Sequence, residues 1–121
     1  MKGYKVVTDR GYPAGHQGGR ILTSLIVDDY RASVRYEIGI TARRKDKCGP
    51  LCVFRHLVDA RAIACWGYNP IFKCNYKPSR CVIVWGPAEN EPSGVHRCPI
   101  NNLYNGTVLA EEVTLLEEVK T

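Results

Sequence analysis

Little in this chain would carry it out of the cytosol. No apolar run approaches the ~20 residues of a membrane helix; the apolar segment 21–27 is closed off by Arg20 and Asp28. The opening Met1-Lys2-Gly3-Tyr4-Lys5-Val6-Val7 turns polar at Thr8-Asp9-Arg10, without the apolar core of a secretory leader. Low-complexity tracts are missing too, so composition excludes disordered and fibrous classes and leaves a globular one. A cytoplasmic protein that makes no membrane contact is expected.

Catalytic motifs are equally scarce. There is no Gly-x-Ser-x-Gly elbow, and Gly15-x-x-Gly18-Gly19 lacks the lysine and the strand-to-helix setting of a phosphate-cradling loop. Only three histidines occur, His16, His56 and His96, so a Cys–His pair would have to be assembled in space. Neither an enzyme activity nor a cofactor is the first expectation.

The six cysteines, at 48, 52, 65, 74, 81 and 98, include no Cys-x-x-Cys knuckle. If a metal is held, Cys48, Cys52, Cys98 and His96 have the chemistry that zinc takes, with Cys74 and Cys81 as further thiolates. Disulfides are not expected without a leader, and the density is below the ~8–10% of disulfide scaffolds. Cys52 lies in Leu51-Cys52-Val53-Phe54, and Cys81 opens onto Val82-Ile83-Val84-Trp85. A small apolar residue would serve at either place, so buried free thiols are the reading.

What the chain does have is a core and a positive charge. At 121 residues, 45% of them hydrophobic, it has the size of a single domain over 1–121. The net charge of +5 is uneven: +6 over 1–61, +2 over 62–106 and −3 over 107–121. Such a balance favours phosphate-bearing ligands, nucleic acid or an acidic partner.

Tyr4-Lys5-Val6-Val7-Thr8 reads as a first strand and 21–27 as a second. In 33–39, Val34, Tyr36 and Ile38 alternate with Arg35 and Glu37, the clearest strand signal here. Residues 41–47 read as a polar, basic loop before the apolar run Leu51 to Phe54. Leu57, Ala60, Ile63 and Ala64 recur at helical spacing, which predicts the principal helix, starting at His56, ending by Cys65 and stopped at Gly67. Residues 68–80 look irregular apart from a short strand at 71–74. Segment 81–85 looks like a strand buried on both faces, and 86–99, with three prolines, like a long loop. Residues 107–119 carry both a helical stripe and a strand pattern; the β-branched residues and the Asn105-Gly106 turn favour a strand. The class is therefore α+β, a mainly antiparallel sheet with one principal helix packed on one face.

Lys2-Gly3-Tyr4-Lys5-Val6-Val7, Val34-x-Tyr36-x-x-Gly39, Gly49-Pro50-Leu51-Cys52-Val53-Phe54 and a closing Val-x-Leu strand together resemble small uncharacterised proteins of bacteria and their phages. The resemblance implies a bacterial or phage setting and a strand-helix-strand layout, and no reaction.

Basic and aromatic residues supply the binding candidates. Arg43, Arg44, Lys45 and Lys47 precede the Leu51 run, Arg55 and Arg61 belong to the helix, and Trp66 and Tyr68 follow it. Guanidinium groups grip phosphate bidentately and aromatics stack bases. The leading expectation is thus a non-enzymatic binding protein, phage-encoded and acting in the host cytoplasm, that captures a nucleotide signal or nucleic acid. The alternative is a protein–protein inhibitor or structural module that uses loop 86–99 and a sheet edge, an edge that could equally pair two copies. A cysteine- or metal-dependent enzyme is the third reading.

Overall fold

The computed structural model describes residues 1–9, 22–24, 34–45, 48–64, 69–87 and 95–120. Among these, the order is β1 (Lys2–Asp9), β2 (Leu22–Ser24), β3 (Arg35–Tyr36), β4 (Thr41–Arg43), β5 (Leu51–Phe54), α1 (Leu57–Ile63), β6 (Ile71–Pro78), β7 (Ile83–Pro87), β8 (Val95–Pro99), a 3-10 turn (Ile100–Asn102) and β9 (Thr107–Glu118). Every described strand pairing is antiparallel, and α1 is the only described α-helix. None of the described helices is long and apolar enough to cross a membrane.

The sheet is not an open one: it closes into a small barrel. Strand β1 pairs with β6 along one edge and, at Tyr4, with Phe54 of β5 on the other. Strand β9 likewise takes β6 on one edge and β5 and β4 on the other. The ring β1–β6–β9–β5 is thereby complete, which removes two long strand edges that an open sheet would leave unpaired. Twelve residues let β9 reach three partners, and shifts of register against β6 bend it around the ring.

Alternation decides which side chains fill the barrel. Val7, Phe72, Cys74, Tyr76, Val53 and Leu115 point inward with Tyr36. The opposite face of the same strands, Val6, Phe54 and Ile71, meets Ala60 and Ala64 of α1. The helix thus packs on one outer side of the barrel, through the two alanines that let the backbones approach. Its helical turns end at Ile63, and Cys65 and Gly67 lie outside the described residues.

Among the described residues, one buried side chain is charged. Lys5 is 2% exposed; its Nζ donates to the Cys52 carbonyl at 2.6 Å and lies 5.3 Å from the centroid of the Tyr36 ring.

Several local expectations need correction. Residues 41–43 are a strand paired to Glu112–Thr114 and not part of a loop. The clean alternation at 33–39 ends early: Ile40 N–H donates to Glu37 O at 3.2 Å, Gly39 takes φ 83°, and the turn so formed leaves Ile38 exposed. Residues 71–78 form an eight-residue strand at the centre of the barrel rather than a brief one. In the segment 81–85, Val82 is exposed and the other residues half-buried rather than buried on both faces, and 86–99 contributes arms of a β7–β8 hairpin instead of one long loop, with 88–94 outside the described residues. The segment 107–119 is a strand, as its β-branched residues indicate.

Candidate binding surface

The outward face of β4–β9–β6–β1 is built from residues that alternate with the core. Registers align them in rows across the strands: Arg43, Glu112 and Lys77 in one, Thr41, Thr114, Asn75 and Lys2 in the next, Glu117, Lys73 and Tyr4 in a third. Arg43 Nε stands 3.1 Å from Glu112 Oε1, and Lys73 Nζ donates to Glu117 Oε1 at 3.0 Å. The Thr41 and Thr114 hydroxyls share a 2.7 Å hydrogen bond. The hydrogen bond and charge of Glu117 raise the Lys73 pKa above its ordinary value. Four cations thus share this face with two carboxylates, and the exposed ion pairs are of the kind worth little to stability.

Of the eight residues singled out from the sequence, five are described, and they divide between the outward face, the hairpin side and the helical side. Arg43 belongs to the outward face. Arg44 does not: its Nε pairs with Glu111 Oε1 at 3.2 Å, and its guanidinium lies 5.6 Å from the Trp85 ring centroid. Arg44 therefore bridges β9 and the β7–β8 hairpin. Lys45 is exposed beyond β4. Arg55, exposed, and Arg61, half-buried, stand at the helical side, where Phe54 pairs with Thr107. Lys47, Trp66 and Tyr68 lie outside the described residues.

Lys2, Lys73 and Lys77 were missed in the sequence. Their signal was the period-two spacing of Lys73, Asn75 and Lys77 between Phe72, Cys74 and Tyr76.

The described metal candidates form no cluster of three, although Cys52 and Cys98 are within electrostatic reach of one another. Cys48, Cys52 and Cys74 are buried free thiols, and Cys81 and Cys98 half-buried ones; the His96 side chain is outside the described set. Among the described residues no three His, Cys, Asp or Glu side chains gather around one point. Burial raises the Cys52 pKa, against the opposing charge of Lys5.

Burial also pushes the Cys74 thiol up from 9.0 to about 11, with Lys5 again opposing. The neutral thiol is what the folded core accommodates. Its contribution is therefore full below the unfolded value and lost as pH rises through the folded one. The shift corresponds to about 3 kcal/mol. Urea unfolding between pH 9 and 11 should show stability falling over that window, with a shallower fall in Cys74→Ala. Equal slopes in the two proteins would remove Cys74 as the cause.

The arrangement is that of a small antiparallel barrel with a polar, cation-rich outer face. Compared with family models, curated proteins and solved structures, the chain matches none.

Proposed function

We propose that this protein is a non-enzymatic binder of an anionic partner, a nucleotide signal or nucleic acid, and that a phage-encoded antagonist of host defence is the setting its motifs fit. The observation that carries the reading is the outward face of β4–β9–β6–β1, where Lys2, Arg43, Lys73 and Lys77 outnumber Glu112 and Glu117. Two cations, Arg43 and Lys77, flank the single carboxylate of Glu112 from opposite sides, so that row keeps a positive excess for a phosphate. Thr41, Thr114 and Asn75 add hydroxyl and amide donors in the adjoining row.

Binding should be measured by fluorescence anisotropy with single-stranded and duplex oligonucleotides, and with nucleotides by calorimetry, over a salt series. Affinity for a polyanion is expected to fall linearly on a log–log salt plot. Replacing Lys2, Lys73 and Lys77 together by Gln should reduce that slope by about one per lysine. No affinity at low salt, or a slope that the triple variant leaves unchanged, defeats the reading.

The β7–β8 hairpin favours a second reading, a protein–protein interaction module. Its strands are half-buried or exposed, and β8 pairs only with β7 among the described strands, which leaves an edge for strand addition.

A further inference from the structure

The barrel encloses a positive charge that the described side chains do not balance. Lys5 is buried and shares its face of β1 with Val7, which points into the barrel. Its partners among the described residues are the Cys52 carbonyl and the Tyr36 ring, and neither carries a negative charge. Two ionisable neighbours feel the ammonium, Cys52 and Cys74, but burial raises the pKa of each, so both are neutral thiols near pH 7. An interior charge is strongly unfavourable unless something of opposite sign accompanies it.

A second interior donor lacks an acceptor. Tyr76 is 4% exposed, and its buried hydroxyl has no hydrogen-bond partner among the described residues. Buried polar groups are nearly always satisfied, by an ordered water or an ion where the chain itself offers nothing. An ammonium has donors and no acceptor; Lys5 spends one on Cys52 and keeps others.

The two groups adjoin. The Tyr76 ring lies against Gly3, where a β-carbon would come 2.8 Å from its Cε1 and 2.8 Å from the Phe54 carbonyl oxygen. Gly3 and Lys5 share one face of β1, and the Cys52 and Phe54 carbonyls share one edge of β5; each pair is two residues, about 7 Å, apart. Ring and ammonium are therefore consecutive along the interval between β1 and β5. Donors converging from two directions, one of them cationic, suit an anion and repel a cation. The surrounding Val7, Val53, Phe72 and Leu115 side chains are fully buried and apolar, so the ion must be small.

We infer that the barrel interior binds a small inorganic anion, of the size and charge of chloride, between the Lys5 ammonium and the Tyr76 hydroxyl. This site is separate from the outward basic face. An anion that binds only the folded chain stabilises it by mass action, so occupancy can be read from unfolding. Urea unfolding of the full chain should be compared in sodium chloride and in sodium gluconate, whose anion is too large for the interior, at equal ionic strength. Relative to gluconate, the folded-to-unfolded ratio should rise with chloride, approaching about tenfold per tenfold increase as the site fills. Lys5→Met should abolish that difference. Tyr76→Phe, which keeps the ring, should raise the half-saturating chloride concentration at least about fivefold. Replacing Lys2, Lys73 and Lys77 together by Gln should leave the difference in place. Equal stability of the wild-type chain in the two salts overturns the inference and leaves the interior donors to water. A chloride effect that survives either interior substitution unchanged, or that the triple surface variant removes, overturns it as well.

Discussion

Lys5→Ala is expected to cost about 2–5 kcal/mol of stability, and Lys5→Met to remain within about 1.5 kcal/mol of the parent. Truncation to alanine removes a side chain that is 2% exposed at the barrel centre, and the void is the dominant loss. Two further effects oppose one another. The Cys52 carbonyl, which accepts from Lys5 at 2.6 Å, is left without that donor, worth about 1–3 kcal/mol. Against this, burying the ammonium has itself cost several kcal/mol of hydration. No carboxylate forms an ion pair with Lys5 among the described residues; the Cys52 carbonyl and the Tyr36 ring at 5.3 Å are the compensation they provide. Methionine fills nearly the same volume without the charge, so the void is avoided and only the two opposing effects remain. Urea midpoints at constant slope measure both variants. If methionine proves as damaging as alanine, the ammonium is a net stabiliser and the desolvation argument fails. Because total stability is typically about 5–15 kcal/mol, the alanine variant stands to lose a large share of its folded margin.

The difference between what was readable in the sequence and what was not follows the range of the interactions. Strand β1, the Leu51–Phe54 run and α1 were readable because their patterns are local: alternation or helical spacing within a few residues. The same holds for β9, where Gly106 at φ 81° makes the turn that its Asn-Gly dipeptide announces. Strand β4 was hidden because three residues with one buried side chain, Ala42, look like a basic loop. Only pairing with Glu112–Thr114, some seventy residues away in sequence, makes them a strand. Closure of the barrel was hidden for the same reason, since it depends on contacts such as Tyr4 with Phe54. At the surface, Arg43 and Arg44 were read together from the sequence, yet as neighbours they take different partners. What separates them is alternation against β9: Arg43 meets Glu112 on the outward face, while Arg44 meets Glu111 under the hairpin.

Gly49→Val should release the β7–β8 hairpin from the barrel at a cost of about 2–4 kcal/mol. The Gly49 N–H donates to the Trp85 carbonyl at 2.8 Å, and a β-carbon at this position would come 2.6 Å from the Trp85 backbone nitrogen and 2.7 Å from its ring. Backbone cannot yield as a flexible side chain can, so the hairpin itself must move. Overpacking accounts for about 1–3 kcal/mol and the broken hydrogen bond for about 1 kcal/mol. Arg44 also loses the Trp85 ring it lies against, although its pairing with Glu111 on β9 survives. The damage should therefore be local. Ladder pairing ties β7 only to β8, while β1, β6 and β9 are held by one another. Native-state hydrogen exchange should show protection lost at β7 and β8 and retained at β1, β6 and β9. Uniform loss across all five strands would instead make the hairpin an integral part of the cooperative barrel. Protection unchanged everywhere would mean the close approach at Gly49 is not what fastens it.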